Sequence, residues 1–245
     1  INCTRSSQSP GPVSGRIGSQ TSRGRGAGVV WRSRRFDPLR RTWTKYVLED
    51  GPYDVEVEAG GDFWDIDGDG DLDALSASND DDKIAWYENT GGEGGFGPQR
   101  VITIEADGAQ SVFAADLDGD GDTDVLSASN LDDKIAWYEN VDAAGNFGPE
   151  RIIDAPESDS PSAIHAADLD GDGDVDVLAS TDPPHNAVTW YQNRLNEPSN
   201  DFGSEQIVTQ KPVVAYFWGL SAADVNGDGH VDVLTASQSY DEIAW

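Results

Sequence analysis

An aspartate-rich nonapeptide occurs four times in this chain, and its regular spacing constrains the fold more than any other feature. The copy at residues 65–73 recurs at residues 116–124, 168–176 and 224–232, at intervals of 51, 52 and 56 residues. An apolar block, Ile-Ala-Trp-Tyr-Glu-Asn in its first copy, follows each nonapeptide and places a tryptophan 21 or 22 residues after the first aspartate. A Phe-Gly pair comes next, at Phe96, Phe147 and Phe202. Three blocks that stay in phase indicate a repeat architecture.

Each repeat has the pattern of four short β-strands. In the second copy we predict strands over residues 111–115, 124–129, 134–139 and 151–153, separated by clusters of Gly, Asn and Asp. In the first copy Ile84 and Trp86 lie on one face of the third strand, and Ala85 and Tyr87 lie on the other. Because both faces are apolar enough to be covered, the pattern predicts an all-β fold, a β-propeller of four-stranded blades. A parallel β-helix would have a shorter repeat, and a helical solenoid would need a 3.6-residue periodicity that is absent.

The repeats predict an incomplete ring. Three full copies and a truncated fourth give an arc of about three and a half to four blades, whereas a closed propeller has roughly four to eight. We expect residues 43–245 to form this arc as part of a larger protein. Residues 1–42 contain nine arginines and one acidic residue, without apolar periodicity. We expect them to be a basic leader that is disordered or non-native.

Charge and composition exclude several classes of protein. The chain has 46 acidic and 16 basic residues and a formal net charge of −30, which argues against nucleic-acid binding because phosphate contacts need clustered Lys and Arg. No stretch approaches the roughly 18 apolar residues of a membrane helix, so we expect no membrane insertion by this segment. Cys3 is the only cysteine, which excludes an intrachain disulfide and a cysteine-based zinc site.

The nonapeptides have the composition of metal-binding loops. Carboxylates at positions 1, 3 and 5 alternate with turn residues, position 7 varies as expected if its carbonyl oxygen is the ligand, and position 9 is always Asp. Hard oxygen donors on a flexible loop suit calcium better than magnesium, and without a cation the carboxylates would repel one another. An EF-hand or dockerin loop would lead into a helix, whereas small, strand-like residues follow here. The sequence therefore predicts about four calcium sites, with these candidate ligands: Asp65, Asp67, Asp69, Asp71, Asp73, Asp116, Asp118, Asp120, Asp122, Asp124, Asp168, Asp170, Asp172, Asp174, Asp176, Asp224, Asn226, Asp228, His230 and Asp232.

Details of the loops give two further expectations. The side chain at position 8 (Leu72 in the first loop) is expected to point into the sheet and anchor the loop. The fourth loop has Asn226 and His230 in place of aspartates, so it is expected to bind calcium more weakly.

The order of the blocks resembles the FG-GAP or VCBS repeat family, whose fold is the propeller of the integrin alpha N-terminal domain. The four aspartate loops, the Phe-Gly pairs and the Trp-Tyr strands carry this resemblance over residues 43–245. The family's Gly-Ala-Pro element is missing, since Pro98 and Gln99 follow the first Phe-Gly pair, which makes the similarity to integrins themselves remote. The resemblance implies a calcium-binding propeller, usually extracellular, in proteins that adhere or bind ligands and that sometimes carry enzymes.

We therefore expect a secreted or cell-surface scaffold in which calcium is structural and the partner is a protein or a glycan. Known catalytic motifs are missing from the sequence, although paired carboxylates for glycoside hydrolysis stay open. The alternatives are the propeller of a polysaccharide-degrading enzyme, a lectin-like propeller whose aromatic residues bind sugar, and a purely structural array. Trp86, Trp137, Trp190 and Trp245 are expected to be core between blades. Single-copy departures from the repeat mark candidate ligand surfaces at residues 63–64, 183–185 and 216–218.

Overall fold

The computed structural model describes residues 61–91, 95–155, 159–211, 216–237 and 242–245, and the backbone of residues 36–37 and 42–43. All regular structure in these residues is β. The described part of the chain contains no helix with the length and apolarity needed to cross a bilayer. A short antiparallel ladder between β1 (Phe36–Asp37) and β2 (Thr42–Trp43) straddles the predicted domain boundary. The rest of the predicted leader, and most of the segment that precedes the first loop, lie outside the described residues.

Three four-stranded antiparallel sheets and one three-stranded sheet follow, each with its strands in chain order. The first sheet comprises β3 (Gly61–Trp64), β4 (Asp73–Ser78), β5 (Lys83–Tyr87) and β6 (Arg100–Thr103). The second comprises β7 (Ala109–Ala115), β8 (Asp124–Ser129), β9 (Lys134–Tyr138) and β10 (Arg151–Asp154). The four strands predicted for this repeat are confirmed. β7 begins two residues earlier than predicted, β9 ends one residue earlier, and β10 ends one residue later.

The third sheet comprises β11 (Pro161–Ala167), β12 (Asp176–Thr181), β13 (Ala187–Tyr191) and β16 (Gln206–Gln210). Between its last two strands lies a small ladder of β14 (Asn193–Arg194) and β15 (Asp201–Phe202). The fourth sheet comprises β17 (Phe217–Ala223), β18 (Asp232–Ser237) and β19 (Glu242–Ala244). The predicted propeller of four-stranded blades is thus confirmed as three full blades and part of a fourth.

The blades pack face to face through the repeated aromatic strands. Ile84 and Trp86 of the first blade share a buried cluster with Ala136 and Tyr138 of the second. One blade further along, Trp137 of the second blade packs in the same way with Tyr191 of the third. The tryptophan face of the third strand in one blade therefore packs against the tyrosine face of the third strand in the next blade. Both faces of such a strand are covered, which is why both are apolar.

One of the four tryptophans departs from the predicted core role. Trp86 and Trp137 are buried, as predicted, and Trp190 is partly buried and packs against the cluster shared by the third and fourth blades. Trp245 is 69% exposed, so its assignment to the core is wrong in this structure. The reason is that it follows the last strand of the fourth sheet, on which no further sheet packs among the described residues.

Candidate metal centre

The aspartate-rich loops connect the first strand of each blade to the second. Their glycines at positions 4 and 6 adopt left-handed backbone conformations, with φ of 73° at Gly68 and 92° at Gly70 in the first loop. The equivalent glycines of the other three loops do the same. Glycine adopts positive φ at little cost, so the loop can fold back and bring its carboxylates together.

Three carboxylates converge in each of the first three loops, namely those at positions 1, 3 and 9. One oxygen from each of them lies within 4.8 Å of the other two. The three triads are Asp65, Asp67 and Asp73; Asp116, Asp118 and Asp124; and Asp168, Asp170 and Asp176. The side chains at positions 5 and 7 lie outside these triads. In the first loop, for example, Asp69 Oδ1 accepts a hydrogen bond from the backbone N–H of Asp71 at 2.8 Å.

Several oxygens of the triads are buried without a hydrogen-bond donor. Among the described residues, Oδ1 of Asp65, Asp67 and Asp116 has no such partner. Burial, followed by the charge of Asp69, raises the pKa of Asp67. A buried carboxylate oxygen without a partner is costly. A bound cation would compensate for this cost, so the donor set fits a divalent ion.

The position-9 aspartate is the most buried member of each triad. Asp124 is fully buried, and its two oxygens accept backbone N–H groups from Leu117 at 3.0 Å and from Asn140 at 2.8 Å. Asp73 and Asp176 have the same two kinds of donor. Burial is the largest cause that raises the pKa of Asp73 to about 6, of Asp124 to about 7 and of Asp176 to about 6. The fold thus holds three carboxyl groups where ionisation is penalised unless positive charge is near.

In the first loop the anchoring residue is at position 2, not at position 8 as predicted, whereas in the third loop Val175 at position 8 does pack against the core. Leu72 at position 8 is 52% exposed, whereas Ile66 at position 2 is 1% exposed and lies in the core between the first two blades. Leu117 occupies the same place in the next loop. The backbone N–H of position 2 also donates to the position-9 carboxylate in these two loops.

The fourth loop differs from the other three. Asp224 is exposed and accepts backbone N–H groups from Gly227, Asp228 and Gly229, and these bonds lower its pKa. The pKa of Asp228 is lowered as well, chiefly by the N–H of His230. Asp232 is only half-buried, and Asn226 stands where the other three loops have the second carboxylate of their triads. The loop's oxygens are therefore largely satisfied by its own backbone.

One functional residue was missed at the sequence level. The asparagine that ends the Trp-Tyr block binds the loops of two blades. Asn140 Nδ2 donates to the carbonyl oxygen of Ile66 in the first loop at 2.9 Å and to that of Thr123 in its own loop at 3.2 Å. Asn193 makes the same pair of bonds one blade further along, to Leu117 and Val175. Its recurrence at a fixed distance after the loop was the available signal.

The single-copy aromatic residues lie mainly on the first strands of the blades. The ring of Trp64 packs edge-on against Phe113, with 5.1 Å between centroids, and the ring of Phe113 lies 4.5 Å from that of His165. Phe217 is buried, whereas Tyr216 is 40% exposed. Trp64 and Phe217 therefore contribute to packing between blades.

Comparison with known protein families agrees with this geometry. The model of the FG-GAP-like repeat matches three overlapping stretches, residues 65–127, 116–179 and 169–235, which together cover most of the chain. The chain belongs to the FG-GAP-like repeat family. Each matched stretch begins in one aspartate loop of this FG-GAP protein and ends in the strand that follows the next loop. One family repeat therefore contains two successive aspartate loops and the strands between them. Among curated proteins, no sequence matches the chain.

A solved lectin structure has a fold similar to that of this FG-GAP protein. An Agrocybe aegerita lectin that recognises non-reducing terminal N-acetylglucosamine matches with a TM-score of 0.56 and 20% identity, over 82% of this chain and 53% of the lectin chain. The chain thus spans about half the length of that lectin. The V. cholerae biofilm matrix protein Bap1 matches with a TM-score of 0.41 and 20% identity, over 88% of this chain and 32% of its own. The Photorhabdus luminescens Tc holotoxin pore matches with a TM-score of 0.41 and 18% identity, over 82% of this chain and 12% of its own.

Proposed function

We propose that this chain is part of a secreted or cell-surface binding propeller whose blades are stabilised by calcium. The observation that carries the proposal is the set of three carboxylate triads, two of which have buried oxygens without a hydrogen-bond donor. The donors are all hard oxygens on glycine-containing loops, which is the chemistry that calcium prefers. The triads lie between structural strands and next to a blade interface, so calcium acts there on the fold and not on a substrate.

Calcium would act by relieving the cost of folding three buried anionic clusters. With free calcium at ten times the dissociation constant, each site stabilises the folded state by about 1.4 kcal/mol. Extracellular modules bind calcium with dissociation constants near 10⁻⁴ to 10⁻³ M, so such sites fill in the millimolar calcium outside cells. This dependence on calcium is the basis for proposing a secreted or surface location.

The test of the calcium proposal is thermal unfolding of the full chain with calcium and with a chelator. Three filled sites give about 4 kcal/mol, which corresponds to a rise in the midpoint of about 10 °C for a domain of this size. Replacing all three position-9 aspartates by Asn should remove the rise, and the matched variant with the three position-7 aspartates (Asp71, Asp122 and Asp174) replaced should keep most of it. An identical midpoint with and without calcium would refute the proposal.

We propose a glycan or a protein as the ligand of the propeller, which acts as a non-catalytic scaffold. A glycan is supported by the lectin with a similar fold, which recognises non-reducing terminal N-acetylglucosamine. A glycan array probed with the full chain in calcium tests this: retention of one class of sugar without turnover supports a lectin-like role. Release of reducing or unsaturated sugar ends would instead favour the polysaccharide-degrading alternative.

A further inference from the structure

A cluster of three ionisable side chains lies in the third blade, apart from the aspartate loops. His185 is in the loop between β12 and β13, Asp159 precedes β11, and Glu205 directly precedes β16. Ligand atoms of all three lie within 4.8 Å of one another. Residues 183–185 are among the single-copy departures from the repeat, so this cluster does not recur in the other blades' sequences.

The contacts in the cluster fix the orientation of the imidazole. His185 Nδ1 lies 2.8 Å from Asp159 Oδ1, and the Asp159 side chain is 8% exposed. A neutral imidazole that donates its Nδ1 proton to a carboxylate presents the lone pair of Nε2 on its other side. That Nε2 atom is buried without a hydrogen-bond donor and lies 3.8 Å from Glu205 Oε1.

Glu205 Oε1 is likewise a buried acceptor without a donor among the described residues. Two acceptors thus face each other at 3.8 Å, which leaves both unsatisfied unless a cation or a proton lies between them. The environment of this pair therefore favours a bound positive charge.

In the second blade, a lysine ammonium group lies beside the glutamate that corresponds to Glu205. Glu150 precedes the last strand of that blade as Glu205 does in the third, and Lys134 Nζ lies 3.0 Å from Glu150 Oε1 and 2.9 Å from Asp132 Oδ2. Lys134 and Ala187 are the first residues of the equivalent strands β9 and β13. The third blade thus has the carboxylate without the ammonium group, and His185 with its free Nε2 lone pair stands in its place.

We propose that His185 Nε2 and the Glu205 carboxylate bind a divalent transition-metal ion of the zinc class, with Asp159 orienting the imidazole. Imidazole nitrogen with carboxylate oxygen suits zinc and its neighbours, whereas the oxygen-only loops suit calcium. A histidine ligand that donates its other N–H to a carboxylate is the usual arrangement around such ions. Bonds of about 2.0–2.1 Å at a tetrahedral centre place two ligands about 3.3 Å apart, so a small side-chain rotation brings this pair into range.

The test uses the full chain with Cys3→Ser, held in excess calcium so that the aspartate loops are filled, and adds Zn²⁺. The chain has three histidines, so their ring ¹⁵N signals can be assigned by substitution. We expect Zn²⁺ to shift the Nε2 signal of His185 and calorimetry to show one zinc site. His185→Gln and Glu205→Gln should each lower the affinity at least about tenfold, and Asp159→Asn should lower it about 10- to 100-fold.

His165→Gln and His230→Gln are the matched controls and should keep the zinc site. Glu205→Gln changes a side chain that is 27% exposed, so it serves as the main variant if His185→Gln impairs folding. Zinc binding that survives both His185→Gln and Glu205→Gln would place the ion elsewhere and overturn the proposal. An His185 ring that carries protons on both nitrogens at neutral pH and does not respond to Zn²⁺ would show that the imidazolium donates to both Asp159 and Glu205, and this would also overturn the proposal.

Discussion

The position-9 aspartate has two roles that depend on different bonds. In the second loop, Asp124 accepts one N–H from the loop and one from the Trp-Tyr block, and its carboxylate also belongs to the triad of the candidate metal site. An asparagine in its place retains one acceptor oxygen but directs an NH₂ group at a backbone N–H. The residue therefore supports the fold and the cation site at the same time.

We predict that Asp124→Asn weakens both the fold and one calcium site. A buried N–H left without its acceptor costs about 1–3 kcal/mol, and the lost charge should lower calcium affinity at that loop at least about tenfold by the dependence on ligand charge. Calorimetric calcium titration and denaturant unfolding measure the two effects. Asp122→Asn, at position 7 of the same loop, is the control and should change neither by much. Equal calcium affinity in the two variants would contradict the assignment of Asp124.

The raised pKa values of these aspartates predict how pH acts on the calcium-free protein. The folded pKa values are about 6, 7 and 6 for Asp73, Asp124 and Asp176, above the ordinary value of 3.8. Between the ordinary and the folded pKa the folded state binds more protons, so stability falls as pH rises through this window. The contribution of these three groups to the free energy of unfolding is highest below about pH 4, and it is lost above about pH 7.

Calcium should reverse this dependence, because it binds the ionised carboxylates and competes with their protons. We expect the rise in the unfolding midpoint caused by calcium to be larger at pH 8 than at pH 5. Melting curves at both pH values, with calcium and with chelator, measure it. The Asp73, Asp124 and Asp176 to Asn triple variant should lose most of the difference, and a difference that it retains would show that other carboxylates are responsible.

At the level of whole strands, the asparagine that ends each Trp-Tyr block connects neighbouring blades. Asn140 and Asn193 each donate to a carbonyl oxygen in their own loop and to one in the preceding blade's loop. The loop after Asn140 also lies against the first blade. A Cβ atom on Gly145 would lie 2.2 Å from Trp86 Cζ2, so only glycine fits there. The metal loops are therefore parts of the blade interfaces as well as candidate cation sites.

We predict that Asn140→Ala costs more than Asn89→Ala because it removes contacts in two blades. At about 1 kcal/mol per hydrogen bond, the loss for Asn140→Ala is about 2 kcal/mol. Asn89 donates at 3.0 Å to the carbonyl oxygen of Leu72 in its own loop, and its replacement should cost about half as much. Denaturant unfolding in calcium gives both values.

The same pair of variants tests the coupling of calcium sites across the interface. Asn140→Ala should weaken calcium binding in the first loop as well as in the second, since both carbonyls that it binds belong to these loops. Equal losses of stability for the two variants, with unchanged binding in the first loop, would show that the bond between blades contributes nothing.

For the whole molecule, the repeat predicted the architecture because packing imposes the same requirement on every blade. The register of Trp86 and Trp137 and the two apolar faces of each third strand needed no tertiary information. Other features depended on contacts that no local pattern encodes. Examples are the inward turn of Ile66 in place of Leu72, and the meeting of His185 with Glu205 from distant segments. The repeat therefore predicted the strands and the apolar faces between blades, but not the contacts that connect a loop to a neighbouring blade or one segment of a blade to another.

The net charge of −30 raises a second explanation for any effect of calcium. So acidic a chain is destabilised by self-repulsion, and every added cation relieves this by screening, without a site. Screening depends on ionic strength, whereas binding in a triad depends on the ion. We therefore predict that about 1 mM CaCl₂ stabilises the chain more than NaCl of equal ionic strength, and more than MgCl₂, which fits flexible loops less well.

The two contributions separate in a matrix of melting curves over salt type and concentration. Sodium chloride should raise the midpoint gradually and to the same extent in the wild type and in the triple position-9 Asn variant, after allowance for the variant's lower charge. Calcium should add a step that saturates and is found only in the wild type. If calcium and sodium act alike at equal ionic strength, the triads are solvated acidic turns, and the stability of the blades rests on their apolar faces alone.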